Sequence, residues 1–348
     1  RFWGRNDPND VGTDEFIQFC KAVGAEPLIC ICLSDGAESA RDLVEYCNGD
    51  VSTPWGKKRT ENGHAEPYNV KYWQLGNELG GEAYSTTCVD FCKAIKSVDP
   101  NTYIMSSFPS KELFEKVGQY ISYTCPHHYS PDVEGGQANI VAIGKSLKEA
   151  GYDGKIKLGI TEWNWSAAHW GLNRGNLGTL ACNLYTGRYL NMLQRNSDLV
   201  DIACRSNMTN SYFSGMIETN MLGVLKRAPY HVMKLYGDHS KPIPMKVEGA
   251  HEKLDISACM SDDGSELCLF VVNTHEEPIK LSLDLSEFGL GFKPVGGEVV
   301  KDTLDRRQLD LMNHWKTPDR ISAVALTADG NIVTIPGYSV AAIECASD

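Results

Sequence analysis

Hydrophobic and polar residues follow two different patterns along the chain, and the first pattern predicts helices and strands in turn. Residues 13–24 (TDEFIQFCKAVG) place acids in the first turn, apolar side chains at a helical spacing and a glycine at the end, which is typical of an amphipathic helix. The segment EPLICICL at 26–33 is almost continuously apolar, as expected for a parallel strand that is covered on both faces. These two segments predict a helix followed by a buried strand.

The same alternation recurs up to about residue 238. We predict further helices over 37–47, 82–97, 137–150, 176–195 and 228–238, with a short one from 111, and further strands over 70–76, 102–107, 119–125, 155–161 and 199–206. Alternating strands and helices are typical of a parallel α/β sheet, and six strands with a leading helix suit a (β/α)8 TIM-type barrel whose first two strands are absent. A doubly wound sheet is the structural alternative, although no GxGxxG follows the first strand, which weakens its nucleotide-binding version.

The second pattern begins after about residue 240, where polar and apolar residues alternate with a period of two. KLDISACM at 253–260 and LCLFVVN at 267–273 flank the turn signal DDG, and NIVTIPGYSVAAIEC at 331–345 continues in the same way. This pattern is typical of a β-sandwich. We therefore predict two domains, a catalytic (β/α) barrel over 1–239 and a C-terminal β-sandwich over 240–348.

Composition and charge exclude several classes of function. The 348 residues carry a formal net charge of -12, with 42% hydrophobic and 22% charged residues, as in an ordinary globular protein. Binding to nucleic acid or to an anionic membrane surface requires a basic face, and the longest basic run is KKR at 57–59. The longest apolar stretch, PLICICL at 27–33, is far too short to cross a bilayer. We expect neither a nucleic-acid partner nor a membrane partner.

The twelve cysteines favour a reducing compartment. None is spaced as a CxxC pair and most lie in apolar runs, so we interpret them as buried free thiols. We therefore expect a cytoplasmic location. The chain begins with neither an initiator Met nor a signal-peptide pattern, so any targeting segment would lie upstream of Arg1. The HHY segment at 127–129 raises a zinc site, but no third ligand has motif spacing, and we predict no metal and no other cofactor.

Two glutamates follow strands of the predicted barrel, and their positions suggest chemistry. Glu78 ends the strand at 70–76, and Glu162, 84 residues later, ends the strand at 155–161. The active site of such a barrel lies at the carboxyl ends of its strands, so both acids would face one pocket. A carboxylate pair is what glycoside hydrolysis requires, and a separation of about 5 Å predicts retention of configuration. Either acid alone is more typical of a solvated helix-entry residue or an ion-pair partner.

Polar and aromatic residues around the two acids predict a sugar-binding pocket. Asn77 could donate to a sugar hydroxyl, and His127 and Tyr129, two apart on an extended segment, could hydrogen-bond the nucleophile. Asn77 could instead satisfy backbone groups, and the histidine and tyrosine could belong to a packed loop. The aromatic residues that could stack on sugar faces are Tyr72, Trp73, Trp163, Trp165 and Trp170. A serine or cysteine nucleophile is not supported, because no GxSxG elbow or catalytic cysteine signature occurs.

Several segments resemble glycoside hydrolase family 51, whose members are chiefly retaining α-L-arabinofuranosidases. The similar segments are GTDEFIQFCKAVGAEPLICICL, ARDLVEYCNGD, NGHAEPYNVKYWQLGNELGG, ITEWNW and LDLMNHWKTPDRI. The resemblance implies that Glu78 is the general acid/base, Glu162 the nucleophile and Asn77 the adjacent sugar-binding residue. It also implies that His127 and Tyr129 form the family's His-x-Tyr motif after barrel strand six, and that Trp3 lies where the family has a substrate-facing tryptophan.

The resemblance further implies the substrate and the assembly. We expect hydrolysis of terminal α-L-arabinofuranosyl residues of plant cell-wall glycans, without a cofactor, by a homo-oligomer. The same fold and mechanism acting on β-xylosides or β-glucans, and a non-catalytic carbohydrate-binding descendant, are the alternatives. The chain departs from the family in lacking the first two barrel strands, in the sequence IACRSNM at the end of strand eight, and in a shorter stretch between the two glutamates.

Overall fold

The computed structural model describes residues 10–166, 172–211, 215–249, 251–288 and 291–347. The chain forms two compact units. Unit 1 consists of Arg1–His127 and Val141–Thr161, and unit 2 of His128–Ile140 and Glu162–Asp348. Trp3, which the sequence predicts to face the substrate, lies outside the described residues.

Eight helices lie in the described part of the chain. They are α1 Thr13–Val23, α2 Gly36–Asn48, α3 Pro54–Glu61, α4 Gly81–Val98, α5 Lys111–Val117, α6 Val133–Glu149, α7 Leu180–Arg195 and α8 Ala228–His239. The strands of the first two thirds are β1 Leu28–Ile31, β2 Tyr72–Leu75, β3 Tyr103–Ser106, β4 Tyr123–Thr124, β5 His127–Tyr129, β6 Lys157–Asn164, β7 Val200–Arg205, β8 Ile217–Asn220 and β9 Gly223–Lys226. The remaining strands are β10 Ile243–Met245, β11 Leu254–Met260, β12 Glu266–Asn273, β13 Ile279–Ser282, β14 Lys293–Asp302, β15 Ile321–Leu326, β16 Ala328–Asp329, β17 Ile332–Ile335 and β18 Ser339–Ala346.

A parallel sheet places β1, β2, β3, β4 and β6 side by side in that order, and both β5 and β7 pair with β6. Leu28 pairs with Tyr72, and Tyr72 with Tyr103, so the first three strands are in step. Trp73 and Ile104 at the next positions are fully buried, because helices cover the strands. Since parallel strands in step end at one edge, the residues that follow β2 and β3 lie beside each other.

Helix α1 begins and ends at capping residues. The Gly12 amide donates to Glu15 at 2.8 Å ahead of α1, and Gly24 closes that helix at φ 71°. Ile17 and Cys20 of α1 are buried, whereas the apolar Phe16, Phe19 and Val23 of the same helix are exposed.

Helix α3 was missed by the sequence pattern because its residues are mostly polar. Thr53 caps it by accepting from the Gly56 amide at 3.1 Å, and Pro54 occupies its first turn. The fully buried Arg59 side chain of α3 donates to four backbone carbonyls. They belong to Tyr46, Gly49, His64 and Ala65. One guanidinium therefore ties together the backbone around α2 and α3.

Two antiparallel sheets of unit 2 form the predicted β-sandwich. The larger has the order β10-β11-β12-β18-β14-β15, and the smaller the order β13-β17-β16. Leu269 and Ile343 of the larger sheet and Leu281 and Val333 of the smaller one share one buried core, so the sheets pack face to face.

The opposite face of the larger sheet is covered by helices α7 and α8. Phe270 and Val272 of β12 pack in one core with helix residues that include Leu184, Val232 and Tyr236. Strand β12 is thus buried on both faces, which explains its continuous apolar run. Gly187 of α7 lies so close to the sheet that an added Cβ would be 2.8 Å from a methyl carbon of Val272.

Most elements before residue 240 agree with the sequence prediction, but four were missed, and two of them are the paired strands β8 and β9. The structure adds α3 and the three-residue strand β5, and helix α7 begins at Leu180, after a 3₁₀ segment over Leu172–Gly178, instead of at 176. Helix α8 ends at His239 and the antiparallel sheet begins at Ile243. The described helices include none that is long and apolar enough to cross a membrane.

Candidate active site

A sharp turn after β2 presents Glu78. Gly76 has φ 68°, and a Cβ there would lie 2.6 Å from the Cδ1 of Leu79, so the position favours glycine. Glu78 itself has φ 53°, in the left-handed region that side chains rarely adopt. The Leu79 amide donates to the Ser107 hydroxyl at 2.9 Å, which ties the turn to the end of β3. The turn holds the Glu78 side chain in an exposed position, 51% accessible to solvent.

His127, the first residue of β5, contacts this carboxylate. Its Nδ1 lies 3.0 Å from Glu78 Oε1, and its Nε2 lies 3.3 Å from Thr161 Oγ1 in β6. The imidazole is only 3% exposed, and the Phe108 ring packs edge-on against it at 5.6 Å. A neutral imidazole has one donor and one acceptor nitrogen, whereas a threonine hydroxyl can donate or accept. The contact pair is therefore compatible with either protonation state of the carboxyl group.

Unit 2 holds the second carboxylate in a similar way. The Tyr129 hydroxyl oxygen lies 2.5 Å from Glu162 Oε2 and 2.7 Å from Ser206 Oγ. Glu162 lies in the last part of β6, and Ser206 directly follows β7. A phenol hydroxyl at this distance from a carboxylate forms a strong, charge-assisted hydrogen bond. It fixes the position of Oε2, one of the two carboxylate oxygens.

The residues around Ser206 hold the end of β7 against the end of β6. The Ser206 amide donates to the Trp163 carbonyl at 3.0 Å, and the Asn164 side chain donates to the Ser206 carbonyl at 3.3 Å. The buried Arg205 guanidinium donates in turn to Asn164 Oδ1 at 3.3 Å. These contacts define the position of the serine backbone on both sides.

Trp163 differs from the expectation that it stacks on a sugar. Its side chain is fully buried, and its ring stacks on Tyr189 with centroids 4.4 Å apart at 22°. Burial, as the largest cause, raises the pKa of Tyr189, so this phenol stays neutral in the packed layer. Trp73, another of the aromatic residues considered, is also fully buried and donates to the Val70 carbonyl at 3.1 Å. We assign both tryptophans to packing beneath the strand ends.

Six of the seven predicted site residues lie in the described part of the chain: four form two contact pairs, and Asn77 and Trp163 belong to neither pair. His127 contacts Glu78, the acid/base candidate, where the sequence suggested the nucleophile as its partner, and Tyr129 contacts Glu162 as expected. Asn77 is exposed in the turn beside Glu78. Sequence reasoning missed the hydroxyl residues Thr161 and Ser206, because single threonines and serines at strand ends carry no motif. Their positions directly before Glu162 and after β7 are the only signal.

Comparison with known proteins gives concordant matches. A family model described as α-L-arabinofuranosidase 1 domain matches residues 1–139, and one described as α-L-arabinofuranosidase C-terminal domain matches residues 161–339. The chain is 26% identical to an intracellular exo-α-(1→5)-L-arabinofuranosidase of Halalkalibacterium halodurans, over 82% of this chain and 69% of that protein.

Solved structures show the same similarity in three dimensions. An α-L-arabinofuranosidase from Thermotoga maritima in an arabinose complex matches with a TM-score of 0.85 and 25% identity, over 98% of this chain and 80% of the other. A GH51 α-L-arabinofuranosidase from Thermotoga petrophila matches with a TM-score of 0.84 and 24% identity, over the same shares of the two chains. The predicted fold class, a (β/α) barrel followed by a β-sandwich, is confirmed by these neighbours.

Proposed function

Because the chain belongs to the α-L-arabinofuranosidase family, glycoside hydrolase family 51, we propose that it releases terminal α-L-arabinofuranosyl residues by a retaining mechanism. Glu162 acts as the nucleophile and Glu78 as the general acid/base. The substrates are arabinofuranosides and arabino-oligosaccharides, such as those of plant cell walls. The carrying observation is that Glu78 follows β2, that Glu162 lies in the last part of β6, and that each carboxylate is hydrogen-bonded to a side chain of β5.

In the first step, one carboxylate oxygen of Glu162 attacks the anomeric carbon of the arabinofuranosyl ring. The glycosidic bond between that carbon and the leaving oxygen breaks, and the carboxyl proton of Glu78 passes to the leaving oxygen. The product of this step is an arabinosyl ester on Glu162. Tyr129 holds the other carboxylate oxygen, which keeps the attacking oxygen oriented.

In the second step, Glu78 is ionised and removes a proton from a water molecule. The resulting hydroxide attacks the anomeric carbon, the ester bond breaks, and Glu162 returns as a carboxylate. Two inversions give net retention. His127 accommodates both states of Glu78, because its Nδ1 can accept from the acid or donate to the carboxylate while Thr161 takes the complementary role.

The residues along the chain support this assignment of roles. His127 and Tyr129 lie two apart in β5, and Thr161 and Glu162 are consecutive in β6. Both clusters therefore use the same two strands, as expected when a catalytic pair is built at the carboxyl edge of a parallel sheet. Asn77, exposed beside Glu78, is proposed to bind a sugar hydroxyl.

The decisive experiment measures hydrolysis of an aryl α-L-arabinofuranoside by the wild-type chain and by Glu162→Ala and Glu78→Gln. We expect Glu162→Ala to lose activity by a factor of 10⁴ or more, on the order of the loss on removing a nucleophile. Glu78→Gln should lose far more activity on substrates with poor leaving groups than on activated aryl glycosides, because only the former need a proton donor.

Product and intermediate analysis separates the mechanism from its alternatives. The first-formed arabinose should retain the α configuration by NMR, and Glu78→Gln incubated with an activated substrate should gain the mass of one pentosyl residue. An inverted product would contradict the retaining proposal, and so would a crystal structure in which the two carboxyl groups are roughly 9 Å apart. Turnover confined to aryl β-xylosides or β-glucosides would reassign the substrate, and sugar binding without any turnover would show a non-catalytic protein.

We also propose an intracellular location for this activity. The described residues contain no disulfide bond among the chain's twelve cysteines, and one relative is named an intracellular enzyme. Titration of the unfolded chain with a thiol reagent, without prior reduction, should therefore count twelve thiols. Fewer thiols in material isolated from its source would contradict the location.

A further inference from the structure

Ser206 is not among the family-matching residues, but its hydroxyl contacts one of them, Tyr129. We propose that Ser206 is a positioning residue that directs the proton of the Tyr129 hydroxyl onto Glu162. The inference rests on the proposed function, because it requires Glu162 to be the ionised nucleophile. Three oxygen atoms carry it: Tyr129 Oη lies 2.5 Å from Glu162 Oε2 and 2.7 Å from Ser206 Oγ.

A count of hydrogens assigns a direction to each of these two contacts. An ionised carboxylate only accepts hydrogen bonds, and a phenol has one hydrogen to donate. When Glu162 is ionised, the Tyr129 hydrogen therefore points to Glu162 Oε2. The contact to Ser206 is then made by the serine hydrogen, which is donated to the phenol oxygen. The two hydroxyls form a chain in which Ser206 donates to Tyr129 and Tyr129 donates to Glu162.

The backbone contacts of Ser206 fix the origin of this chain. Its amide donates to the Trp163 carbonyl at 3.0 Å, and its carbonyl accepts from Asn164 at 3.3 Å, so both sides of the residue are tied to β6. Trp163 and Asn164 immediately follow Glu162 in the sequence. The hydroxyl that orients the tyrosine is therefore anchored to the same strand segment that carries the nucleophile.

Such a chain has two physical effects on Glu162. A hydroxyl that already accepts a hydrogen bond is a stronger donor, because neighbouring bonds in a chain polarise one another. The accepted bond also keeps the phenol from rotating its hydrogen away from the carboxylate. Both effects stabilise the orientation of the nucleophile without touching the sugar, so they act on the rate of the chemical steps and leave substrate binding almost unchanged.

The test compares Ser206→Ala, Ser206→Thr, Tyr129→Phe and the double variant Ser206→Ala/Tyr129→Phe with the wild type on one aryl α-L-arabinofuranoside. Loss of a neutral hydrogen bond of about 1 kcal/mol corresponds to a fall in kcat of about fivefold for Ser206→Ala, with KM changed less than twofold. Loss of the charge-assisted bond in Tyr129→Phe should lower kcat by roughly 10- to 100-fold. Ser206→Thr keeps the hydroxyl and should retain the wild-type kcat.

The double variant separates positioning from general structural damage. If Ser206 acts through Tyr129, Ser206→Ala should cause no further loss of kcat once the phenol oxygen has been removed. A fivefold loss in both backgrounds, or an unchanged kcat in Ser206→Ala with an impaired Tyr129→Phe, would overturn the inference. Thr209→Ala removes an exposed hydroxyl from the same segment and should behave like the wild type.

Failure of the inference and failure of the proposed function give different results. A wild-type chain without arabinofuranosidase activity, confirmed as folded by circular dichroism, overturns both. An active wild type whose Ser206 variants fail the cycle overturns the positioning role alone. Circular dichroism of each variant distinguishes a lost contact from a lost fold.

Discussion

The left-handed backbone at Glu78 leads to a prediction about stability that is independent of catalysis. At φ 53° an L-residue is destabilised by roughly 1–2 kcal/mol relative to the right-handed region, because its Cβ crowds the backbone. Glycine has no Cβ and avoids this cost. Glycine also makes the unfolded chain more flexible, which lowers the stability of the folded state by roughly 0.5–1 kcal/mol and so cancels part of the gain. Glu78→Gly and Glu78→Ala both remove the contact with His127, so their difference isolates the backbone. We expect Glu78→Gly to be more stable than Glu78→Ala by about 0.5–1 kcal/mol.

The measurement is the free energy of unfolding from urea denaturation at pH 7, with circular dichroism as the probe. A matched control is Glu115, which is exposed in the middle of helix α5. At that position the order should reverse, with Glu115→Gly less stable than Glu115→Ala by about 1 kcal/mol, because glycine disfavours a helix. The same order at both positions would refute the reasoning that Glu78 is held in a strained turn. Both Glu78 variants should be inactive toward substrates with poor leaving groups. A more stable but inactive Glu78→Gly would indicate that the strained backbone positions the carboxyl group and does not stabilise the fold.

Three further predictions concern other parts of the molecule. Thr161→Val removes the hydroxyl 3.3 Å from His127 Nε2 and should lower kcat by about fivefold in steady-state assays; an unchanged kcat would contradict the complementary role of this hydroxyl. Gly187→Ala places a methyl group 2.8 Å from a side chain of the sheet and should lower the free energy of unfolding by about 1–3 kcal/mol. Gly237→Ala in α8 has open space around the added methyl group and should leave the free energy of unfolding unchanged or raise it by up to about 1 kcal/mol. Equal urea midpoints for the two variants would contradict the packing argument. Burial lowers the pKa of His231 in the folded protein. Below pH about 6.5 this histidine is therefore protonated more readily in the unfolded chain than in the folded one, which favours unfolding. We expect the free energy of unfolding to fall more steeply toward pH 5.5 in the wild type than in His231→Gln. The free energies of unfolding come from urea denaturation at each pH, and equal slopes of this free energy against pH in the two proteins would refute the prediction. At pH 8 the titration of His231 should contribute no difference between them.

The elements that sequence reasoning predicted are those whose burial imposes a period on the chain. Strand β12 is buried on both faces and helix α2 on one face, and both have the hydrophobic pattern that this burial requires. By contrast, β5 has only three residues, His127–Tyr129, and α3 is mostly polar. The turn carrying Glu78 and the strand end carrying Glu162 could be predicted because parallel strands end at one edge. The further hydrogen-bond partners of the site residues could not be predicted. Threonine and serine are common residue types, and Thr161 and Ser206 are recognised only by their distances from His127 and Tyr129. Trp163 was misread for the same reason, since a tryptophan beside a carboxylate can stack on a sugar or on Tyr189.

The division of the chain into units limits how the protein can be cut or recombined. Unit 2 takes His128–Ile140 from the middle of the chain and then resumes at Glu162, inside β6. Gln137 and Asn196 exchange two hydrogen bonds at 2.8 and 2.6 Å across this gap in sequence. During synthesis the segment His128–Ile140 is made before α7 and before Asn196, which follows that helix. Unit 2 therefore cannot complete its folding from the C-terminal part of the chain alone. A fragment or chimaera that begins at Glu162 would lack Tyr129 and leave Asn196 without its amide partner, so exchange between relatives has to carry both segments together.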